Sequence, residues 1–346
     1  MNNGVYNFKL NIDWKLVNFI SEIDRFDANW TAIERKEGQS LKELKSIATV
    51  RSVGDSNRIE GNQMSDEEVD VLLQKMDITK LKDRDSQEVL GYFEVLDLIS
   101  TSFENINLTE SHIKSLHNSL MKYSVKDEWH KGNYKLLNNA VEASFPDGTR
   151  QIIFQTTEAG FATEDAIKQL LNWYNSETEV HPLIKVASFV YGFLSVHPFQ
   201  DGNGRLSRLI STLLLLKNGY KWIQYVSFEH EIENRKSEYY QALRSCQSQR
   251  PNEDVTVWMH FFLSCLSNIQ SQLLGKLNKR GLETLLSPKE KSIFTIIQNR
   301  PNIQSGGIAE RLGMPSPTVK RILSYLLNKG LIEKQGSGRN VSYTIK

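Results

Sequence analysis

The twelve residues His197-Pro198-Phe199-Gln200-Asp201-Gly202-Asn203-Gly204-Arg205-Leu206-Ser207-Arg208 lie between two apolar runs, Val186 to Val196 and Leu209 to Leu216. That pattern predicts helix, polar loop, helix. Pro198, Gly202 and Gly204 end the first helix. Arg205 to Lys217 has the length and the leucines of a second, buried one. A loop that feeds a helix N-terminus offers unpaired N–H groups and the positive end of the helix dipole. Gly202 and Gly204 let that backbone come close to a ligand and form a nest of donors for an anion.

The polar residues of the stretch add specific chemistry. Arg205 and Arg208 are three apart, so both fall over the first turn and can hold separate phosphate oxygens. Asp201 is a hard oxygen ligand of the kind Mg²⁺ takes when most of its shell is phosphate and water. His197 titrates near neutrality and can take a proton from an incoming hydroxyl. A His before a Pro, or a Gly-Asn-Gly, is by itself an ordinary turn. A turn needs no Asp, His and two spaced Arg together. The set describes a Mg-nucleotide site with its own base.

The same stretch resembles, at every fixed position, the Fic family signature His-Pro-Phe-x-Asp-Gly-Asn-Gly-Arg-x-x-Arg. Most members are protein adenylyltransferases that move AMP from ATP to a Ser, Thr or Tyr hydroxyl of a protein. The resemblance implies that His197 is the catalytic base and Asp201 the Mg²⁺ ligand. It assigns ATP binding to Gly202, Asn203, Gly204, Arg205, Leu206, Ser207 and Arg208, with Arg208 on the γ-phosphate. Other relatives transfer a different phosphate-bearing group, or remove AMP, and those remain alternatives, as does a DNA-binding regulator in which this core senses nucleotide.

A second short motif gains meaning from the first. Ser56 to Glu60 has helical spacing and Gly61-Asn62 suits a C-cap; alone this is a plain helix end. It also resembles the Ser/Thr-x-x-x-Glu-Gly/Asn pattern of the family's inhibitory helix, here N-terminal to the core. That implies that Glu60 pairs with Arg208 and denies it to the γ-phosphate, because carboxylate and phosphate compete for one guanidinium.

Around these motifs the chain reads as mainly α. Trp14, Leu16, Val17, Ile20 and Ile23 fall on one expected core face, and Leu41, Leu44 and Ile47 on another. Ser65 with Asp66, Glu67 and Glu68 opens a helix, as does Thr109-Glu110. Trp129 to Ala140 looks irregular; the family usually has Arg where Lys135 stands. Pro146-Asp147-Gly148-Thr149 and the β-prone Gln151 to Phe154 predict a hairpin. In the family a hairpin there is a flap that binds the target segment as an added strand. Helices are expected from Thr163 to Tyr174, from His181-Pro182 to the motif, from Glu229 to Cys246, and from Val255 to Leu274. His181 lacks polar company in the sequence and reads as structural. The segment Arg235-x-x-x-Tyr239-Tyr240-x-x-Leu243 resembles a family segment whose aromatics close over the nucleoside, which implies Tyr240 as a nucleotide contact.

The net charge of +1 hides an asymmetry. Residues 287–346 carry ten Lys/Arg against three Asp/Glu, a net of +7, which leaves 32 against 38, a net of −6, elsewhere. A one-sign block at one end suggests a separate module with an anionic partner. Ser287-Pro288-Lys289-Glu290 is a strong helix start. Helices at about 288–299, 305–312 and 316–329 follow, with Ser316 capping the third. Strands at 331–334 and 341–345 then flank Gly336-Ser337-Gly338-Arg339. This resembles a winged helix, which either presents Thr318, Lys320, Arg321 and Arg339 to DNA or serves as a protein-binding or dimerisation module.

The expected fold is a mainly α Fic-type core with a β-hairpin flap and a small C-terminal α+β winged helix. The expected domains are 1–100, helical and carrying the inhibitory helix at about 56–62; 101–275, the Fic core; 276–286, a linker; and 287–346, the winged helix. The expected ligands are ATP and Mg²⁺. The expected partners are a protein with a hydroxyl side chain (this chain itself included), a second copy in a homodimer, and DNA through 287–346. Cys246 and Cys265 lack metal spacing and read as free core thiols. No signal pattern or membrane-spanning run is visible, so the expected location is cytoplasmic.

Overall fold

The computed structural model describes residues 6–75, 83–144, 150–284, 286–338 and 341–346. The chain divides into two compact units, Met1–Ser271 and Gln272–Lys346. Among the described residues, no helix is long and apolar enough to cross a membrane.

In the first unit the motif's two flanking helices form the centre. They are α7 (Pro182–Val196) and α8 (Asn203–Lys217), packed on each other. From Val186 to Val196 every residue of α7 is buried, and α8 is buried from Arg205 to Leu216. Each fully buried Leu or Phe here is worth about 1.5–3 kcal/mol relative to exposure. Around it lie α1 (Trp14–Lys36), α2 (Gly38–Ile59), α3 (Asp66–Lys75), α4 (Arg84–Ser102), α5 (Glu110–Leu120) and α6 (Phe161–Ser176). After α8 come α9 (Phe228–Asn234), α10 (Lys236–Gln247) and the start of α11 (Thr256–Thr284), whose residues from Gln272 onward belong to the second unit. Trp258 on α11 donates its indole N–H to Ala187 O at 2.8 Å, which fixes that helix to α7.

Local capping sets where several helices start. Asp13, Asp83, Thr109 and Ser227 each accept a first-turn N–H at the head of α1, α4, α5 and α9. Ser65 and Glu68 exchange bonds in a capping box at α3. The end of α2 is tied from several sides. Asp55 accepts from His230 Nδ1 at 3.0 Å and from Arg58 Nη2 at 2.5 Å. Lys236 Nζ caps Ile59 O at 2.7 Å. Gly61 takes φ +103°, a left-handed turn that suits glycine. The backbone at Glu60 is therefore held at a defined place.

The hairpin is β1 (Ala140–Ser144) against β2 (Arg150–Gln155), antiparallel, with an irregularity between Val141 and Glu142. Its expected turn, Pro146 to Thr149, lies outside the described residues.

Several expectations are corrected. On α1 only Leu16 and Ile23 of the expected face are fully buried, together with Trp30, a stripe repeating every seven residues. Trp14 is 81% exposed and Val17 is exposed, because they lie off that stripe. Ile47 is exposed likewise, and Ala48 is buried in its place. The expected helix from 229 to 246 is two, broken at Arg235 (φ −115°, ψ 30°), whose guanidinium reaches Glu238 and Ser264. His181 does have polar company: its Nε2 meets Asp24 Oδ2 at 3.0 Å, a partner 157 residues away along the chain. Residues 276–284, expected in a linker, are helical, since α11 continues to Thr284. Leu273 and Leu277, at i and i+4, are buried and extend its apolar face. Cys246 and Cys265 are free and buried.

The second unit holds α12 (Pro288–Asn299), β3 (Ile303–Gln304), α13 (Ser305–Leu312), α14 (Ser316–Asn328), β4 (Ile332–Gln335) and β5 (Ser342–Ile345). Ser287 and Glu290 form a capping box at α12. The sheet order is β3-β5-β4, antiparallel throughout; the two-residue β3 is too short to show in the sequence. Ile293, Phe294, Ile297, Ile308, Ile322 and Leu326 are part of the core. Ser316 is not a cap: Pro315 holds that position and Ser316 is the first helical residue. Arg339 lies outside the described residues.

Candidate active site

His197 caps α7 with φ +54°, so the chain turns sharply there and α7 delivers the imidazole to the start of the loop. Its Nδ1 lies 3.3 Å from Leu194 O. A carbonyl only accepts, so Nδ1 carries the proton and Nε2 keeps its lone pair. Burial pushes the pKa of His197 down to about 4; the nearby Lys135 charge adds to this, while the Leu194 bond, Glu60 and Asp201 oppose it. The ring is a neutral base at neutral pH.

The loop that follows is held from α5. Phe199 is fully buried, stacked flat on the His117 ring with centroids 3.8 Å apart. His117 Nε2 donates to Asp201 O at 3.0 Å, and its Nδ1 accepts from Gly132 N at 2.9 Å. Asn203 closes the loop on itself, its side chain bonding both Phe199 N and Phe199 O. Gly202, at φ +77°, is the N-cap of α8. A Cβ there would come within 3.3 Å of His117 Nε2.

Asp201 Oδ1 accepts from Gly202 N at 2.5 Å, and Oδ2 faces Arg84 Nη2 at 3.4 Å. Burial alone would raise its pKa, but Arg205, the Gly202 N–H and Arg84 hold it below the usual carboxylate range. The two motif arginines diverge rather than lying side by side. Arg205, 1% exposed, faces Glu88 Oε1 at 3.3 Å and Asp201 Oδ1 at 3.6 Å. Arg208, 2% exposed, gives Nε to Ser56 Oγ (2.8 Å) and Nη2 to Ser56 O (2.9 Å) and Glu60 Oε1 (2.8 Å). Desolvation works against its charge, but Glu60, Tyr239 and Tyr92 more than offset this and raise its pKa. Among the described residues, Arg205 Nε and Arg208 Nη1 have no hydrogen-bond partner, so both guanidiniums keep donors in reserve.

These residues surround a cleft of about 240 Å³. His197, Asp201, Gly202, Asn203, Gly204, Tyr240 and Glu60 all line it. Four expected ATP-binding residues, Arg205, Leu206, Ser207 and Arg208, are buried and do not line it. Leu206 is core, and Ser207 Oγ bonds Gly204 O at 2.7 Å. Glu60 stands between Arg208 and the cleft. Its carboxylate lies over the first turn of α8, 2.2 Å from where a Cβ on Gly204 would be. Sequence reasoning missed Asn139, Gln200, Tyr239, Arg244 and Gln247, which also line the cleft. Arg244 and Gln247 follow Tyr240 by four and seven, so its helical face could have pointed to them. Arg84 and His117 carry no such signal, being far from the motif in sequence.

The central helix–loop–helix, with His197 as the C-cap of α7 and Gly202 as the N-cap of α8, resembles a Fic-type domain. Residues 107–215 match the Fic/DOC family, and residues 286–333 match the winged helix-turn-helix DNA-binding family. The chain thus carries a Fic domain and a C-terminal winged-helix domain. It is 25% identical over 239 residues to "Protein adenylyltransferase Fic" of Drosophila sechellia; the match takes in 68% of this chain but 44% of that relative. In structure it is similar to a Fic family protein from Desulfovibrio desulfuricans (TM-score 0.64, 23% identity, 97% of each chain). It is also similar to a Fic domain containing signaling protein from Bacteroides thetaiotaomicron (TM-score 0.60, 22% identity, 74% of this chain and 96% of that one).

Proposed function

We propose that the cleft transfers AMP from ATP to a hydroxyl of a protein side chain, and that Glu60 restrains this activity. The observation that carries the reading is the convergence of a neutral base, His197, with the N-terminus of α8 and an ionised Asp201 in one cleft. The name of the Drosophila relative supports the same reaction class.

The phosphates would lie against the N–H groups of residues 202–204, where the helix dipole favours negative charge. The target hydroxyl attacks the α-phosphorus and its proton passes to Nε2 of His197. The bond from that phosphorus to its bridging oxygen breaks, and pyrophosphate leaves. Asp201 fits a Mg²⁺ ligand: it is ionised, its side chain is 39% exposed and it lines the cleft, and a Mg²⁺ that rides on phosphates needs only one or two carboxylates. When bound, the ion neutralises phosphate charge. Arg208 would clamp the γ-phosphate once Glu60 leaves; with Glu60 in place the nucleotide lacks that clamp and sits in an unproductive pose.

The test is label transfer to the purified protein with Mg²⁺, from α-³²P-ATP and separately from γ-³²P-ATP. The expected result is label on this chain or on an added target from the α position only, stronger in Glu60→Gly and lost in His197→Ala. Label from the γ position would overturn adenylyl transfer.

The C-terminal unit supports a second activity, which we infer to be binding of duplex DNA. On α14 the side chains of Lys320 and Arg321 are exposed, and neither is in an ion pair among the described residues. Binding should fall steeply with salt and be lost in Lys320→Ala/Arg321→Ala. No binding at low salt would sink this reading.

A further inference from the structure

Below His197 lies a buried lysine that the reaction above does not use. Lys135 is 1% exposed. Its ammonium donates to Thr156 Oγ1 (2.7 Å), Asn139 Oδ1 (3.0 Å) and Val196 O (3.2 Å). All three acceptors are neutral, and no carboxylate pairs with it among the described residues. Burial lowers its pKa to about 8, and the positive charge of Arg250 adds to the effect. An ammonium in such a place is expensive unless each proton is bonded. Here each has one acceptor.

The three acceptors belong to three different segments. Asn139 leads into β1, Thr156 follows β2, and Val196 immediately precedes His197 in the last turn of α7. The joint is reinforced around the lysine. Lys135 N donates to Pro198 O at 2.9 Å, Tyr134 bridges Phe199, and Asn139 Nδ2 donates to Phe199 O at 2.9 Å. The roots of the hairpin, the motif loop and the base-bearing helix end meet at one charged atom. Only apolar packing would be needed for stability alone, and it would be cheaper.

We propose that Lys135 is a positioning residue: it ties both roots of the hairpin to the end of α7, so that a target segment lying along the hairpin is in register with His197, and it keeps a positive charge beside the imidazole. This rests on reading the cleft as the transfer site. The charged groups around this joint are Arg250 on the Lys135 side and Glu60 and Asp201 on the His197 side. Lys135 does not line the cleft and touches no reacting atom. Its effect must run through the hairpin and His197.

The experiment uses the full chain with Lys135→Met, Lys135→Arg and Thr156→Val, each alone and with Glu60→Gly. Three quantities are read: steady-state transfer, amide exchange in 140–144 and 150–155, and the histidine NMR titration of His197, assigned by its loss in His197→Asn. In Lys135→Met, kcat should fall about 10- to 100-fold, as small misplacements at a transfer site do, with KM for ATP within about twofold. Exchange in both strands should quicken and the His197 midpoint should move up. Lys135→Arg should restore most of each, and Thr156→Val should shift all three in the same direction by less. Unchanged exchange and an unmoved His197 midpoint in Lys135→Met would overturn the proposal; if that variant does not fold, the same result in Thr156→Val would do so. If Glu60→Gly alone transfers nothing, the function reading fails, while exchange and titration still decide the role of Lys135.

Discussion

Arg208 and Glu60, 148 residues apart in sequence, meet at 2.8 Å between Nη2 and Oε1. The two ends of the contact differ in character. Arg208 is buried and has two further bonds to Ser56, so it stays in place when Glu60 moves. The Glu60 side chain is 34% exposed and sits at the end of a helix, so it can leave. A fixed cation with a releasable carboxylate is the arrangement a competitive inhibitor needs.

Glu60→Gly should raise adenylyl transfer. A hydrogen bond to a charged group is worth about 1.5–3 kcal/mol, which corresponds to roughly 10- to 100-fold in occupancy of the competing state. Glu60→Gln retains an acceptor without the charge and should give a smaller rise. Initial rates at saturating MgATP decide this, and a rate unchanged in Glu60→Gly would remove the inhibition model.

His197→Asn is a cleaner removal of the base than His197→Ala. Position 197 has φ +54°, a region that asparagine tolerates and alanine does not. Turnover should drop roughly 10²–10⁴-fold, with the melting temperature close to wild type. Because burial pushes its pKa down to about 4, His197 is neutral from pH 6 to 8, and kcat/KM should not decline over that range for want of a base. A fall in kcat/KM with an apparent midpoint near 6.5 would show that the imidazole titrates as if exposed.

How much of this was legible in the sequence depends on distance along the chain. The helix–loop–helix of 186–217 was readable because Pro198 and the glycines stop one apolar run and a leucine run starts the next. The Ser56–Glu60 helix end was readable too, but its contact with Arg208 followed only from the family resemblance. The direction of the two arginines was not visible, since Glu88 and Ser56, which draw them apart, are far away in sequence. His181 misled for the same reason, its partner Asp24 being 157 residues off. Exposure misled on α1, where Trp14 satisfied an apolar pattern but lies off the stripe that packs.

The bond between His230 and Asp55 makes part of the chain's stability depend on pH. Hydrogen bonding to Asp55 raises the pKa of His230 above 6.5, with burial and Arg51 opposing and Asp66 assisting. The native state then binds more protons than the unfolded one between 6.5 and the raised value. This contribution is complete below 6.5 and is lost as pH rises through the native pKa. About 1 kcal/mol is expected for a partly exposed pair of this kind. Urea midpoints at pH 6 and pH 8.5 should show a pH-dependent difference between wild type and His230→Gln. Parallel curves would mean that the pair contributes nothing.

Gly204 separates two explanations of restraint, displacement of Arg208 and simple filling of the phosphate space. An added Cβ would lie 2.2 Å from Glu60 Oε1 and 3.1 Å from its Cδ, while the next atom, Arg208 Nη1, is at 3.4 Å. Gly204→Ala therefore drives Glu60 off Arg208 and should destabilise the chain by about 1 kcal/mol, the low end of overpacking costs. In Glu60→Gly that conflict is gone, and the gain in helix propensity, up to about 1 kcal/mol, should make the same change neutral or stabilising. The methyl group would remain against the first turn of α8, where the phosphates are proposed to lie. Both Gly204→Ala and the double variant should then transfer AMP slowly, whereas Glu60→Gly is fast. Thermal melts and rates for all four proteins test this cycle. If Gly204→Ala proved as active as Glu60→Gly, the phosphates would have to bind elsewhere than the N-terminus of α8.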